Sequence, residues 1–381
     1  MNKTQKNLNL QYREGEGSFS PSLKTIESKL GETIVSVEDL SKLYGSKSNN
    51  SIVTTLDKRG GLKRYVLKCA SSQDISNEIN GTKAIEKYLP VSKVIAYSLI
   101  NNKAWLLREY ISGVLMADMT NHFEPQKNIE HLIELETEKE KLIVKGYSKL
   151  NRSLSKDDYM NLTANKLFHH RLIGDRYKNF YVDGEHIPKL INKKVVINGR
   201  SYSLTVEEIF KSILEKYSTK RQIRAFVGHG DAHQGNVIVS DKGSVRFFDN
   251  EYAGVMPVGM DLSKPYYNDF LGTLFFHFHE RLLGYFKVKS IFTDRTTIQL
   301  KIGLKQKLDT RMKITLVKLE QRKKYLGNGD LLGLNDYLFM CHTLNRDPNL
   351  FPETVRGLFL AFCVILNDFD PFNPESLYAY F

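Results

Sequence analysis

The first third of the chain alternates between apolar and polar positions in short runs that predict β-strands. Five such runs occur, at residues 33–37, 52–56, 62–70, 94–99 and 104–110. Gly60-Gly61 separates the second and third runs and is a strong hairpin signal. Residues 73–89 follow the third run and place four apolar side chains along one side of a predicted helix: Ile75, Ile79, Ile85 and Leu89. The pattern predicts a five-stranded antiparallel sheet that carries one helix.

From residue 114 onward the periodicity changes to that of long amphipathic helices. Helices are predicted at residues 128–150, 157–178 and 206–217, and again from residue 265 to the end of the sequence. Asn198-Gly199 lies between two β-rich runs and predicts a type I′ hairpin. We therefore expect an α+β fold with a polar, flexible segment at 1–30, a small β-rich lobe at 31–113 and a larger, mainly helical lobe at 114–381.

Composition narrows the class of protein. The 41% hydrophobic and 26% charged content is typical of a soluble globular chain, and no secretory signal is visible. The longest apolar run, residues 358–366, has about half the length that a bilayer span needs. Three scattered cysteines are typical of reduced thiols, so we expect a cytoplasmic protein without a membrane partner. The net charge of +12 favours anionic ligands.

Most of the candidate chemistry lies in residues 227–254. Six polar residues flank an apolar, strand-like run there: His229, Asp231, His233, Asn236, Asp249 and Glu251. A predicted turn at residues 241–243 would form a hairpin and return Asp249 to the side of Asn236. Phosphoryl transfer needs a carboxylate that orients the acceptor hydroxyl and oxygen ligands for magnesium. The spacing of Asp231, Asn236 and Asp249 fits both requirements.

This pattern resembles that of the aminoglycoside phosphotransferase and choline kinase family, which has a protein-kinase-like fold. The resemblance is carried by His229-Gly230-Asp231-x-x-x-x-Asn236, by Asp249-x-Glu251 and by Asp261, and it covers roughly residues 35–262. It implies that Asp231 is the catalytic base and that Asn236 and Asp249 bind Mg²⁺. It assigns supporting roles to three further residues: His229 in the loop, Glu251 as an additional carboxylate and Asp261 as a brace. Asn250 departs from the family, which usually has an aromatic or apolar residue there.

The same resemblance makes residues 31–113 a nucleotide-binding lobe that ends in a hinge. Lys68 would hold the phosphates of ATP, with GTP left open, and Glu78 on the following helix would pair with it. The loop at residues 45–51 would cover the phosphates, through Gly45, Ser46, Ser48 and Ser51. Backbone groups near Glu109 and Ile111 would bind the adenine edge.

The sequence thus predicts an ATP- and Mg²⁺-dependent phosphotransferase that moves the γ-phosphate to a hydroxyl of a small molecule. The acceptor could be a sugar, a nucleoside, an amino alcohol or an antibiotic. The positive net charge favours a neutral or anionic acceptor. By contrast, five acids at residues 130–140 would suit a cationic one: Glu130, Glu134, Glu136, Glu138 and Glu140. The oligomeric state stays open.

Two alternatives belong to other classes. Asp231-Ala-His233 could be the first ligand pair of a metal-dependent phosphoesterase, but the only downstream Gly-Asp is Gly329-Asp330 and no Gly-Asn-His follows. The second alternative is a non-catalytic nucleotide- or RNA-binding protein that uses the Lys- and Arg-rich residues 301–324. Around this stretch only Tyr325 is aromatic, so the stretch fits a solvated helix face better, and nucleic acid is disfavoured as a partner.

Overall fold

A computed structural model describes residues 22–40, 49–100, 103–122, 129–148, 151–219, 222–326 and 330–381. The chain divides into two compact units. The first unit comprises Met1–Asn80 and Ser92–Ile111, and the second comprises Gly81–Val91 and Ser112–Phe381. The predicted boundary after residue 113 lies close to this division, but residues 81–91 belong to the second unit.

The first unit contains the five-stranded antiparallel sheet that the sequence predicts, with the strand order β1-β2-β3-β5-β4. Its elements are α1 Leu23–Leu30, β1 Thr33–Asp39, β2 Asn49–Leu56, β3 Leu62–Ala70, α2 Ser72–Ile85, β4 Val94–Ile100 and β5 Lys103–Glu109. The final residues of α2, from Gly81 on, are assigned to the second unit. Helix α1 lies within the segment that the sequence analysis expects to be flexible, and Ser22 caps it by accepting a hydrogen bond from the Thr25 N–H.

The alternation along β5 explains how this unit builds its core. Trp105 and Leu107 face one side of the sheet and pack with Ile26 of α1. Ala104 and Leu106 face the other side and pack with the apolar residues of α2. Because successive side chains of a strand point to opposite faces, one strand serves both layers.

The second unit is mainly helical. Its helices are α3 Met116–His122, α4 Ile129–Tyr147, α5 Lys156–Met160, α6 His169–Ile173, α7 Asp175–Tyr177, α8 Val206–Ser218, α9 Val258–Tyr267, α10 Thr273–Phe276, α11 His279–Tyr285, α12 Asp309–Arg322, α13 Leu334–Leu344 and α14 Glu353–Asp368. Its strands are β6 Gly113–Leu115, β7 Asn151–Leu154, β8 Lys194–Ile197, β9 Arg200–Ser201, β10 Ile223–Gly228, β11 Val237–Ser240, β12 Val245–Phe247, β13 Gly254–Met256, β14 Phe286–Thr293 and β15 Thr297–Leu304.

These strands form three small sheets, with the orders β13-β10-β7, β12-β11-β6 and β14-β15-β8-β9. The hairpin predicted at Asn198-Gly199 joins β8 to β9 and is confirmed. Both turn residues have positive φ, 52° at Asn198 and 89° at Gly199, as a type I′ turn requires.

Two predicted elements of this unit are wrong. Residues 157–178 do not form one helix but the short helices α5, α6 and α7, and Gly174 interrupts the last two with an extended conformation. The region after residue 265 is not wholly helical, since β14 and β15 form a hairpin and β15 pairs in parallel with β8. Ile298, Leu300 and Ile302 alternate inward along β15, which is a strand signal that the sequence analysis overlooked.

Among the residues that the structure describes, no helix is long and apolar enough to cross a membrane.

Candidate active site

The hairpin of β11 and β12 brings the backbone around Asp249 close to Asn236, although the two residues are separated in the sequence. Val237 pairs with Phe247, and the turn at Gly243 has a φ of 78°. Beyond the last ladder pair, the Phe248 N–H donates a hydrogen bond to the Asn236 carbonyl oxygen at 3.2 Å. Asp249 therefore follows directly on a residue that is bonded to Asn236, as the sequence predicts.

Asp249 has an unusual backbone conformation. Its φ is 59°, in the left-handed region that residues with a side chain rarely adopt. Such conformations cost about 1 kcal/mol or more and persist where the surrounding structure enforces them, often at functional sites. The surrounding structure therefore holds the Asp249 backbone in a conformation that an isolated chain would rarely adopt.

Asp231 lies between β10 and a 3₁₀ turn at Gln234–Asn236. The Asn236 Nδ2 donates to the Asp231 carbonyl oxygen at 2.9 Å, which closes the loop and leaves the Asn236 Oδ1 as an acceptor. The Asp231 Oδ1 is buried, and within the described residues no donor forms a hydrogen bond with it. The Lys264 Nζ lies 4.0 Å from this oxygen, and the His233 Nε2 lies 3.9 Å from it.

His229 links the loop to the hairpin. The side chain is fully buried. Its Nδ1 accepts from the Asp231 N–H at 3.3 Å, and its Nε2 lies 3.2 Å from the Phe248 carbonyl oxygen, to which it can donate. Burial lowers the pKa of His229, so the ring is held neutral with one acceptor and one donor nitrogen. His229 therefore links the backbone of Asp231 to the backbone of Phe248, the residue before Asp249.

Asp261 braces the loop from α9. Its Oδ1 accepts from the Gly230 N–H at 2.6 Å, and its Oδ2 accepts from the Arg322 Nη1 at 3.0 Å and from the Tyr147 hydroxyl. Gly228 must be glycine for this approach, since a Cβ there would lie 2.7 Å from the Asp261 Cγ. The buried carboxylate thus fixes the backbone immediately before Asp231.

A set of buried charges, here called the bracing network, continues from Asp261. It joins α4, α9 and α12 to the loop and consists of Glu136, Lys139, Glu140, Asp261, Asp269, Lys318 and Arg322. Lys139 donates to the Ala232 carbonyl oxygen at 3.2 Å. Gln234 donates from its Nε2 to Glu136 at 3.0 Å and from its N–H to Asp269 at 2.9 Å. The loop is therefore anchored on both sides of His233.

The four carboxylates and three cations of the bracing network pair with one another. Lys318 contacts Glu136 and lies 3.1 Å from the Asp269 Oδ2, and Arg322 contacts Glu140. Burial alone would raise the pKa of Glu136, but the ammonium groups of Lys139 and Lys318 outweigh it and lower that pKa to about 2. The carboxylate is thus ionised in the folded chain.

This network corrects two interpretations of the sequence. The acids of α4 do not form one acidic surface, because Glu136 and Glu140 are buried and paired while Glu130, Glu134 and Glu138 are exposed. The basic stretch at residues 301–324 is not simply a solvated face, because three of its side chains point inward: Arg311, Lys318 and Arg322. Helical periodicity separates the two faces of each helix.

Asn250 is explained by its neighbours. It is fully buried, and its Nδ2 donates to the Thr82 Oγ1 at 2.9 Å. A Cβ on Gly81 would lie only 1.9 Å from the Asn250 carbonyl oxygen. The polar residue is accommodated because Gly81 leaves room for its backbone. Glu251 is the next residue and is half-buried. The burial of Tyr252 and the nearby Glu251 carboxylate raise the pKa of Tyr252.

In the first unit, the predicted ion pair between Lys68 and Glu78 is confirmed. The Lys68 Nζ lies 2.7 Å from the Glu78 Oε2. Glu78 is fully buried, while 12% of the Lys68 side chain stays exposed. Arg108, which the sequence analysis missed, contacts the other carboxylate oxygen of Glu78. Its signal was an arginine that directly follows the apolar run at residues 104–107 of β5.

The remaining predicted residues of this unit are placed as follows. Ser51 lies within β2 opposite Leu67, and not in a loop, and only 4% of it is exposed. The Glu109 N–H donates to the Lys93 carbonyl oxygen at 2.9 Å, and the Glu109 carbonyl oxygen accepts from the Ser92 hydroxyl at 2.8 Å. Ile111 is half-buried just after β5. The other members of the predicted phosphate loop lie outside the described residues: Gly45, Ser46 and Ser48.

His233 has a local structural role. It precedes the 3₁₀ turn, and its Nδ1 accepts from the Gly235 N–H at 3.0 Å. Within the described part of the chain, no group of three or more His, Cys, Asp or Glu residues could hold a metal ion. The phosphoesterase alternative therefore gains no further ligands there for the Asp231/His233 pair.

Comparison with known proteins identifies solved structures with a similar fold. No family model and no curated protein matches the chain. Among solved structures, aminoglycoside phosphotransferase APH(4)-Ia is 11% identical, covers 90% of this chain and 96% of its own, and has a TM-score of 0.51. A thermostable mutant of that enzyme, in complex with AMP-PNP and hygromycin B, is 13% identical over 91% and 97%, with a TM-score of 0.48. Choline kinase LicA from Streptococcus pneumoniae is 11% identical over 93% and 94%, with a TM-score of 0.41.

The likeness to APH(4)-Ia shows the class of fold. An antiparallel N-terminal sheet followed by a mostly helical remainder is the mixed α+β, kinase-like fold, and this prediction is confirmed.

Proposed function

We propose that this chain is a small-molecule kinase that transfers the γ-phosphate of ATP to a hydroxyl group. The kinase-like fold supports the class of reaction. The observation that carries the proposal is the Asp231 Oδ1, a buried carboxylate oxygen without a hydrogen-bond donor among the described residues. Buried polar atoms are nearly always hydrogen-bonded, so an orphaned one in a rigid loop indicates a ligand.

In this mechanism Asp231 accepts a hydrogen bond from the acceptor hydroxyl and takes its proton as the new bond forms. The acceptor oxygen bonds to the γ-phosphorus, and the bond between that phosphorus and the bridging oxygen of ADP breaks. His229, Asp261 and the bracing network hold the loop, so that the carboxylate needs no reorganisation during the reaction.

The residues after the loop fit a magnesium ion. Asn236 uses its amide nitrogen within the loop and keeps its Oδ1 as a hard oxygen donor, and the hairpin enforces the backbone of Asp249 nearby. Two oxygen donors from adjacent strands match the preference of Mg²⁺, which takes few protein ligands and keeps phosphate and water oxygens. When bound, the ion would neutralise charge on the phosphates.

We assign nucleotide binding to the first unit. Lys68, oriented by Glu78, would contact the phosphates of ATP, with GTP as a second nucleotide to test. Arg108 contacts the second oxygen of the Glu78 carboxylate. The sequence further assigns Gly45, Ser46 and Ser48 to the phosphates and the backbone near Glu109 and Ile111 to the adenine edge.

The test replaces Asp231 by Asn or Ala in the full chain. Turnover is measured as ADP release with Mg²⁺ and a panel of hydroxyl compounds, and products are checked by mass spectrometry for a gained phosphate. Loss of a general base should lower kcat at least about a hundredfold, while nucleotide binding persists. Glu320→Gln, on an exposed position of α12, is the control and should retain full turnover.

Unchanged turnover in Asp231→Asn would disprove the assignment. Release of phosphate from monoesters in the absence of nucleotide would instead support the phosphoesterase alternative.

A further inference from the structure

Three cationic side chains meet at the carboxyl end of α13, close to Asp231. Lys264 of α9 donates from its Nζ to the Asn345 Oδ1 at 2.9 Å, and Arg171 of α6 donates from its Nη1 to the same oxygen at 2.8 Å. Arg176 of α7 donates to the carbonyl oxygens of Leu344 at 2.7 Å and Asn345 at 3.0 Å. Arg171, Arg176 and Lys264 are called the cationic cluster below.

The cationic cluster has few compensating negative charges: Asp231 and Glu251 attract Arg171, and Asp231 attracts Lys264. Over the described ranges of the chain, neither Arg171 nor Arg176 forms an ion pair, and Lys264 has only Asp231, at the limiting distance of 4.0 Å. The Arg176 contacts are ordinary capping of a helix end. Arg171 and Lys264 share one neutral amide oxygen, which cannot neutralise either of them.

The titration of these groups reflects the same imbalance. Burial lowers the pKa of Lys264, and Arg171 and Arg176 lower it further, against the attraction of Asp231. Burial and the neighbouring Arg171 lower the pKa of Arg176 to about 10. Like charges held together in a desolvated position cost folding free energy. An anionic ligand would remove that cost.

The position of the cationic cluster identifies what such a ligand would be. The Lys264 Nζ lies 4.0 Å from the Asp231 Oδ1, the oxygen to which we assign the acceptor hydroxyl. The Arg171 Nη1 and the Lys264 Nζ lie close together, because both donate to the Asn345 Oδ1. Only 6% of the Lys264 side chain is exposed, whereas Arg171 remains partly exposed. An acceptor at Asp231 would therefore meet both cations.

Resting on the proposed function, we propose that the acceptor is an anionic alcohol, whose carboxylate or phosphate binds Arg171 and Lys264 while its hydroxyl faces Asp231. Guanidinium and ammonium groups are the usual partners of both anions. The buried acids of α4 that would favour a cationic acceptor are already neutralised by Lys318 and Arg322.

The first arm of the test compares acceptors that share a carbon skeleton and differ in the charged group that they carry. Glucose, glucuronate, glucose 6-phosphate and glucosamine form one matched set, and glycerol, glycerate, glycerol 3-phosphate and 3-amino-1,2-propanediol form another. ATP-dependent turnover and equilibrium binding are both measured on the full chain. We expect the anionic members to bind about tenfold or more tightly than their neutral counterparts and to be turned over with a correspondingly higher kcat/KM. The glucuronate and glycerate members separate carboxylate recognition from phosphate recognition.

The second arm uses Arg171→Met and Lys264→Met. Each should raise KM for the anionic acceptor about tenfold or more and leave KM for ATP unchanged. Arg171→Glu should shift the preference toward the amino members. Lys178→Met, at an exposed position near α7, is the control, and thermal melting verifies that each variant is folded.

Several results would overturn the proposal. Equal or better use of the neutral or amino members by the unaltered chain would do so, as would absence of any binding advantage for the anionic members. A fall in kcat with unchanged KM for the acceptor would assign the cations to the transferred phosphoryl group instead. The proposed function fails separately, if no acceptor supports Mg²⁺- and ATP-dependent turnover; the binding measurement then still reports on the anion site.

Discussion

The second unit buries charge beside the catalytic loop in two contrasting ways. The bracing network contains both signs, and its members contact one another, as in the pairs of Arg322 with Glu140 and Lys318 with Glu136. The cationic cluster contains one sign only and rests on the amide of Asn345 and on backbone oxygens. Both lie close to Asp231, so burial alone does not separate them.

This difference in charge pairing suggests different roles: the bracing network holds the loop in place, and the cationic cluster is proposed to bind the acceptor. A buried ion pair with its hydrogen bonds satisfied holds elements together, and removing one partner leaves an uncompensated charge. Buried cations with fewer counter-ions than charges destabilise the fold, and a role in ligand binding would explain why the chain retains them. We expect substitutions in the bracing network to reduce stability and substitutions in the cationic cluster to increase it.

The largest effect is expected for Arg322→Met. Arg322 contacts Glu140, Tyr147 and Asp261, so its loss would leave two buried carboxylates without their main counter-ion. The free energy of unfolding should fall by about 3–5 kcal/mol, as measured by urea denaturation.

Lys313→Met is the matched control, since Lys313 is exposed on the same helix. It should change stability by no more than about 0.5 kcal/mol. Equal effects of the two substitutions would contradict the structural role of the bracing network.

The second prediction concerns pH. The pKa of Glu136 is about 2 in the folded chain, below its ordinary 4.5, because Lys139 and Lys318 outweigh burial. A lowered pKa contributes stability that is present above about pH 4.5 and is lost as the pH falls toward 2. Glu136→Gln should therefore be less stable than the unaltered chain at neutral pH, and the difference should shrink across this window.

Denaturation of both chains at a series of pH values measures that difference. Lys139 and Lys318 keep other carboxylate partners, Glu140 and Asp269, so the variant is expected to fold. A stability difference that stays constant from neutral to acidic pH would argue against an ionised Glu136.

The smallest effect, and the one of opposite sign, is expected for Lys264→Met. Because burial lowers the pKa of Lys264, its charged form costs stability at neutral pH, and that cost is relieved as the pH rises toward the ordinary value of 10.5. Replacement by an apolar side chain of similar length should raise the unfolding free energy at neutral pH by about 1 kcal/mol. A clear loss of stability would show that Lys264 is structural and would erase the contrast between the two regions.

The part of the candidate site that could be predicted is the part that short-range sequence encodes. The turn at Gly243 and the apolar runs on either side of it dictate the hairpin, so the approach of Asp249 to Asn236 follows from local chemistry. The ion pair between Lys68 and Glu78 likewise joins a strand to the helix that follows it.

The features that were missed depend on contacts between distant segments. Glu136 and Lys318 are far apart in the sequence, and on either helix alone each is an ordinary charged residue. Gly81 lowers the helix propensity of α2, a cost that only the carbonyl of Asn250 explains. Such close approaches are set by packing, and no local pattern encodes them.

The sequence by itself determined the five strands and helix α2 of the first unit and the order of polar groups around Asp231, because turns, periodicity and motif spacing act over a few residues. Only the tertiary structure decided which charges are paired. Arg171, Lys264 and Asn345 come from three separate helical segments, and their convergence beside Asp231 depends on how α6, α9 and α13 pack. Whether a buried charge stabilises the fold or is held for a ligand depends on its partners in space.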